Sequence, residues 1–354
     1  MVYYIVRRLM WLIVVLLFIT AITYAIFFLM SPVNPALLFA GKQPTVATIN
    51  AVKQEFGLNR PVMVQYLLFV KHVFFGDQYG WPGLGFSFVT RAAVLSELGP
   101  RLVITTTLVI GSAILWLALG LPIGVISAVK QRTILDRLAI GFAIFFVSAP
   151  VFWLGLMFLW LFWFKLGIAG GTGYFAPTQY GFFTWLNHMI MPWVVLALQE
   201  AAWYARMTRG NLIETMKEDY IRTARAKGLR EIRVIFRHGV RASLTPVVTM
   251  FGMDLGLLFG GTIITETVFN LQGLGQWAVE SVFSGDLPVI LAVTLVVSFA
   301  ITLANVIVDV TYVYLDPRVR ITGRFPAAIY RWLRGLSSVV HKDEQARTIE
   351  YGAE

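Results

Sequence analysis

Apolar residues dominate six stretches of the chain: Leu9–Met30, Leu102–Val129, Leu138–Phe164, Met189–Ala205, Leu244–Ile264 and Leu287–Leu315. Each is close to or above the roughly 20 residues that cross a ~30 Å hydrocarbon layer at about 1.5 Å per residue. Polar segments separate them, so the pattern predicts an all-α polytopic membrane protein with six transmembrane helices. The first stretch follows Arg7 and Arg8, as the apolar region of a signal peptide would. It is longer than the ~7–15 residues such a region needs, and Ser31-Pro32-Val33-Asn34-Pro35 offers no small-x-small cleavage site. Residues 1–30 therefore read as a retained anchor helix.

Between the first two spans lies a long extramembrane segment, 31–101. Ala47–Phe56 has helical spacing, Gly57-Leu58-Asn59-Arg60-Pro61 is a turn, and Val62–Phe75 is a second amphipathic stretch. Gly80-Trp81-Pro82-Gly83-Leu84-Gly85 reads as a loop rich in helix breakers. Trp81 stands there as one rigid aromatic between flexible points. It is either an anchor for a partner surface or a side chain resting in the lipid headgroups. Residues 102–315 form the membrane core, interrupted by a loop at 206–243. The tail, 316–354, is basic and then mixed polar, and its end is expected to be disordered.

Composition supports the membrane reading: 58% of residues are hydrophobic and 14% charged, against roughly 25% charged in a soluble domain. Mean hydropathy is +0.72. A net charge of +10 raises nucleic acid as a partner, but the cations follow the positive-inside rule instead. Two precede the first span, three lie in Lys130–Arg137, ten in Arg206–Arg241 and seven after Asp316. The opposite side holds one in Lys165–His188, none in Thr265–Asp286, and six in 31–101, a segment long enough to be translocated regardless of charge. Both termini are thus expected in the cytoplasm, and nucleic acid is not.

Catalytic chemistry finds no foothold. The chain has no cysteine, which excludes disulfides and thiolate metal sites, and His72, His188, His238 and His341 are too scattered to bind a metal. Gly41-Lys42 lacks the phosphate-cradling pattern around it. Gly83-x-Gly85 and Gly273-x-Gly275 lack a third glycine. No zinc-protease helix or nucleophile elbow exists. Such a chain is no enzyme and binds no cofactor of its own. Any uphill movement draws on an ion gradient or on another subunit.

The loop Arg206–Ser243 carries ten basic and four acidic residues. Leu212, Met216, Tyr220 and Ala224 recur every four residues, predicting a helical stripe flanked by Arg209, Lys217, Arg222, Arg225 and Lys227 and ended by Gly228. From the residues alone, an interfacial helix on anionic lipid and a docking helix for a partner stand level.

The run Asp219-Tyr220-Ile221-Arg222-Thr223-Ala224-Arg225-Ala226-Lys227-Gly228-Leu229 resembles the cytoplasmic loop of permease subunits of ABC importers. More narrowly, it is similar to the B-type subunit of the dipeptide/oligopeptide/nickel group. The wider importer motif, Glu-Ala-Ala-x-x-x-Gly, is matched at Ala224 and Gly228. Arg222 stands at its Glu, Thr223 at its first Ala, and His238-Gly239-Val240-Arg241 replaces its Ile-x-Leu-Pro tail. Further resemblance lies in Gly57–Pro61 with Gln65-Tyr66 and Gly76-Asp77, in Glu266-Thr267-Val268-Phe269 with Gly273-Leu274-Gly275, and in Asn305, Asp309 and Leu315–Arg320. It covers about Tyr3 to Arg320.

The resemblance implies a type I importer permease in a bacterial or archaeal inner membrane. Its partners would be a paralogous second permease, two ATP-binding subunits carrying ATP and Mg, and an extracytoplasmic solute-binding protein. It also implies that Asp219, Tyr220, Arg222, Thr223, Ala224, Arg225, Ala226, Lys227 and Gly228 form a helix that docks on the ATPase. Peptides, nickel and oligosaccharides are all solutes of that group. The rival reading is a carrier driven by an ion gradient. A membrane scaffold without transport is a third.

Ionisable groups inside spans are costly and are functional candidates by default. Asp254 is nearest the middle of the fifth span, among Gly252, Gly256, Gly260 and Gly261; it lines a polar path or belongs to a packing interface. Glu266 lies at a span end, where its carboxylate caps backbone amides or faces the path. Asn305 and Asp309 are one turn apart on one face, set for interhelical hydrogen bonding or for solute contact. Glu200 is placed to pair with Arg206. The tryptophans near span ends, Trp153, Trp160, Trp163, Trp185, Trp193 and Trp203, read as an interfacial belt.

Overall fold

The computed structural model describes residues 2–30, 46, 53 and 59–315, with side chains at 10–26, 46, 53 and 59–307. Contacts divide the chain into Met1–Asp309 and Val310–Glu354. Of the second unit, 310–315 are described and are helical. Most of the expected external segment before Asn59, and the tail after Leu315, lie outside the described residues.

Helices α1 (Val2–Met30) and α2 (Val62–Phe75) are followed by an irregular stretch and then by α3 (Val94–Val129). Next come α4 (Ile134–Ser148) and α5 (Val151–Lys165), whose second half takes π form. After a single turn at Pro177–Tyr180 runs α6 (Phe182–Thr215), then the short α7 (Asp219–Ala226). The chain continues through α8 (Glu231–Gly261), α9 (Ile263–Val268), α10 (Leu274–Ser284) and α11 (Leu287–Leu315). Among the described residues, α3, α8 and α11 are long and apolar enough to cross a membrane, and α4 with α5 makes a fourth if the pair counts as one span.

Three boundaries differ from the sequence pattern, each for a physical reason. The stretch Leu138–Phe164 is not one straight helix, because α4 and α5 meet at 103°. Pro150 causes the break: its ring disfavours helical geometry in the residue before it, and Ala149 is extended at φ −77°, ψ 127°. The second span begins at Val94, not Leu102, because Val94 and Leu98 are buried with Leu84, Leu274, Trp277 and Val289. The fifth apolar stretch divides at Thr262, where α8 stops and α9 begins.

The centre of the fold is the packing of α3 against α6, with Leu108, Trp116, Met189, Val195, Ala201 and Tyr204 buried between and around them. Small residues permit it. A Cβ added at Gly120 would sit 2.8 Å from the Ala201 carbonyl oxygen, and one at Gly124 would sit 2.6 Å from that of Ala205. Without an apolar-versus-water driving force between spans, such backbone proximity is what holds membrane helices together. At 34 residues, α6 is about 51 Å long. It is longer than a ~30 Å hydrocarbon layer is thick.

The irregular stretch after α2 is pinned to the start of α11. Asp286 is buried, and its carboxylate accepts the Ser87 hydroxyl and the backbone amides of Phe88 and Val89. α10 stops immediately before it at Gly285, whose φ of 71° is left-handed and so favours glycine at a helix end.

Candidate functional site: coupling loop and intramembrane polar groups

The backbone beyond α6 is shaped by local chemistry. α6 stops at Thr215, and after a turn Glu218 is extended at φ −65°, ψ 148°. Asp219 then places a carboxylate in the first turn of α7, where the helix dipole favours negative charge. Lys227 caps the other end, and Gly228 turns the chain away at φ +74°. Nothing lies within 4 Å of a Cβ built on Gly228. Its glycine answers to the left-handed backbone rather than to a lack of space.

The expected four-residue stripe is corrected here. Leu212 lies in the last turn of α6 and Met216 just past its end, and the chain breaks before Tyr220 and Ala224. A spacing of four turns about 40° further with each step at 3.6 residues per turn, so such a series drifts around a helix. Tyr220 consequently points outward at 46% exposure. The inward face is Ile221 and Ala224, at 0% and 7%, packed with buried Val234 and partly buried Met216 and Leu229. Ile221 was missing from the sequence stripe, although its three-residue offset from Ala224 is the standard neighbour spacing on a helix.

This miniature core leaves α7's other face open. Tyr220, Arg222, Thr223, Arg225, Ala226 and Lys227 are exposed. Asp219 pairs with Arg222 at 3.2 Å. Arg225 holds Glu231 with two hydrogen bonds, Nε to Oε2 at 3.1 Å and a terminal nitrogen to Oε1 at 2.7 Å. The guanidinium keeps the Glu231 carboxyl below its ordinary range, and Arg225 is raised in turn. Partial burial, then Glu218, pushes the Tyr220 hydroxyl up. The pair fastens the end of α7 to the start of α8 and shapes a cationic surface with one aromatic on it.

Within the helical core, Tyr204 is fully buried, its ring 5.8 Å from that of Trp116. Its hydroxyl donates to Asp254 Oδ2 at 2.6 Å, joining α6 to α8. Glu200 precedes Tyr204 by one turn on α6 and is partly buried. The expected Glu200–Arg206 pair does not form. Arg206 instead lies over the Trp203 ring, 4.5 Å from its centroid, a cation–π placement. Asp254 and the glycines around it separate by face. Gly256 and Gly260 approach Ile301, Ala304 and Val297 of α11, whereas Asp254 turns to α6.

Glu266 is fully enclosed. Its Oε1 accepts the hydroxyls of Thr105 at 2.6 Å and Thr262 at 3.0 Å, and its Oε2 accepts the Gln276 amide at 2.9 Å. Leu274 donates its amide to Thr105 Oγ1 at 2.8 Å. The glycines beside it are steric requirements, since a Cβ at Gly273 would lie 2.5 Å from the Glu266 carboxyl carbon.

Asn305 faces α1, sharing a cavity with Trp11, Leu12, Val15, Ser298 and Thr302. The side chain of Asp309 lies outside the described residues. On the irregular stretch, Trp81 is 72% exposed, while its Nε1 donates to the Phe74 carbonyl at 3.1 Å. Thus the structure brings Tyr204 and Asp254 together, with Glu200 one turn away on α6, and leaves Glu266, Asn305 and Trp81 in three separate places. Sequence reasoning missed Tyr204 and the buried carboxylates Asp136 and Asp286. Asp136 and Asp286 flank spans, where an acid attracts no notice, and Tyr204 was lost among the aromatics. Among the described residues, no three histidine or carboxylate side chains gather as a metal site requires.

Residues 120–321 match the family described as "Binding-protein-dependent transport system inner membrane component", and residues 1–109 match the N-terminal portion of such components. The chain is 37% identical over 336 residues to the dipeptide transport system permease protein of Alkalihalophilus pseudofirmus, covering 90% of this chain and 99% of that one. It is 38% identical over 317 residues to the glutathione transport system permease protein of Pectobacterium atrosepticum, covering 90% and 98%. Against the dipeptide transport system permease protein of Escherichia coli it is 36% identical over 343 residues, covering 90% and 99%.

Proposed function

The chain belongs to the inner-membrane component family of binding-protein-dependent transport systems, and from that premise we propose that it forms half of the translocation path of an ATP-driven importer for peptides or similar small solutes. Members of the family are membrane permeases of ABC importers, not enzymes; ATP is hydrolysed on separate ATPase subunits. The proposal adds what this chain contributes. α7 docks on an ATPase subunit through its open face, with Tyr220 as an apolar contact and Arg222, Arg225 and Lys227 as cations. One observation carries this reading: an eight-residue helix with its own small core, held between two long helices with its polar face exposed. A helix meant to rest on lipid would turn apolar side chains outward; Ile221 and Ala224 turn inward.

In this proposal α1, α3, the bent pair α4–α5, α6, α8 and α11 are the six spans, with both termini cytoplasmic. A paralogous permease supplies the other half of the path, and two ATPase subunits, carrying ATP and Mg, close beneath the pair. Closure draws the docking helices together and swings the spans from inward-open to outward-open. Asp254, with Glu200 and Tyr204, lines the path, and Asn305 and Asp309 serve the contact of α11 with its neighbours. Glu266 acts as a structural tie. The two kinds of relative described above are named for dipeptide and glutathione transport, which supports a peptidic solute. An extracytoplasmic binding protein delivers it, meeting the exposed Trp81.

Co-purification in mild detergent tests the core of the reading. An ATPase subunit retained by the wild-type chain and lost on replacing Tyr220 and Arg222 together by alanine is the expected result. Uptake driven by an ion gradient in vesicles holding this chain alone would overturn it and favour a secondary carrier. A photoreactive group at Trp81 tests the external contact: capture of a binding protein in the ATP-held complex supports it, and capture of lipid alone defeats it.

A further inference from the structure

Asp136, in the first turn of α4, is 3% exposed and surrounded by donors. Arg209 of α6 gives its Oδ1 a hydrogen bond from Nε at 2.7 Å and its Oδ2 one from a terminal nitrogen at 3.0 Å. The hydroxyl of Ser127, near the end of α3, donates to Oδ1 at 2.6 Å, and the Arg132 amide to Oδ2 at 2.9 Å. One carboxylate therefore ties together α3, the turn after it, α4 and α6. Arg209 lies two turns before the end of α6, on the side of the chain that leads into α7.

We propose that Asp136 and Arg209 form the rigid link that carries movement of the docking helix α7 into the bent pair α4–α5. The proposal rests on the reading of α7 as the ATPase-docking helix. α6 and α8 are joined to that loop by the backbone itself, so they follow it directly. α4–α5 is not, and needs a side-chain connection at this end. Beside the link, packing is incomplete: a cavity of about 410 Å³ opens between α4 and α6, lined by Ile140, Ala143, Ile144, Val147 and Ala205. The two-pronged guanidinium grip is what resists shear there, because it fixes orientation as well as distance, which the point charge of a lysine does not. The link also does not titrate in use. Arg209 first, then Ser127, holds the Asp136 carboxyl far below the ordinary carboxylate range.

The absence of native cysteines permits a direct test in the assembled complex. Single cysteines at Ile232→Cys, at the start of α8 beside the end of α7, and Ile144→Cys on α4 carry position-sensitive probes, in wild-type, Asp136→Asn and Arg209→Lys backgrounds. Expected for Asp136→Asn is retention of the ATPase subunits, continued hydrolysis and an ATP-driven shift at Ile232. The shift at Ile144 is lost, and solute moved per ATP falls about tenfold, the size of an ordinary coupling between sites. Arg209→Lys is intermediate, and decides the matter if Asp136→Asn does not assemble. An Ile144 probe that still follows ATP, or uptake and hydrolysis falling together at constant ratio, overturns the link. A wild-type complex that keeps no ATPase, or whose Ile232 probe ignores ATP, overturns the docking reading beneath it.

Discussion

Replacing Glu266 distinguishes a structural tie from a solute contact. Its carboxylate is fully enclosed and accepts three hydrogen bonds, two from rotatable hydroxyls and one from the fixed amide of Gln276. Glu266→Ala strands that amide inside the fold, at about 1–3 kcal/mol for an unsatisfied buried donor, and removes charge-assisted bonds of about 1.5–3 kcal/mol each. Thr262 can turn its hydroxyl to a carbonyl of the preceding helical turn, whereas Thr105 is left without an acceptor, so a net loss of about 3–4 kcal/mol follows. Glu266→Gln is milder for a traceable reason. The amide oxygen can serve Gln276, but the amide nitrogen must then donate to hydroxyls that previously donated to it. Thr105 already accepts the Leu274 amide, so its own hydrogen loses its acceptor, a cost of about 1–2 kcal/mol. Thermal midpoints of the purified complex should fall in the order wild type, Gln, Ala. Solute selectivity among assembled complexes should stay unchanged. An unaltered midpoint for Glu266→Ala with a changed solute preference would refute the reasoning and return Glu266 to the path.

The remaining predictions are brief. Gly273→Ala should destabilise as Glu266→Ala does, since its Cβ meets the Glu266 carboxyl at 2.5 Å; a midpoint equal to wild type contradicts the packing. Ala224→Glu puts a charge into the core beneath α7 and should release the ATPase by unfolding the loop, seen as new protease cleavage between Thr215 and Glu231. Gly228→Ala should cost only about 1 kcal/mol, for left-handed backbone without a clash, and leave ATPase retention near normal. Asp254→Asn keeps an acceptor for Tyr204, so assembly should persist while uptake rate changes in vesicles; wild-type rates across solutes would assign Asp254 to packing. Asp136 has its folded value depressed below the unfolded carboxylate value near 4. Its stabilisation is complete above that value and lost only as pH falls towards the depressed one, so loop stability should be flat between about pH 6 and 8.

Much of the architecture was legible in the apolar runs, because a bilayer leaves no choice but to satisfy backbone groups within a helix. α3, α8 and α11 lie where the long apolar stretches predicted helices, and Val62–Phe75 forms α2. A short helix ended at Gly228 was readable from the residues around it, since a helix followed by a left-handed turn is local chemistry. What failed was orientation and pairing. Pro150 was visible, but not that the span would turn by 103° instead of absorbing the kink. Tyr220 fitted a spacing of four and still faces outward, because its stripe crosses a break whose position depends on Val234 packing under Ile221. Arg206 found the Trp203 ring rather than Glu200. Local propensity and burial pattern are properties of short segments, and the sequence by itself determined them: helical, membrane-borne, basic on one side. Which carboxylate meets which donor joins residues 73 positions apart for Asp136 and Arg209, and 161 apart for Thr105 and Glu266. Only the packed helices bring such groups within hydrogen-bonding distance, so the tertiary structure decided them.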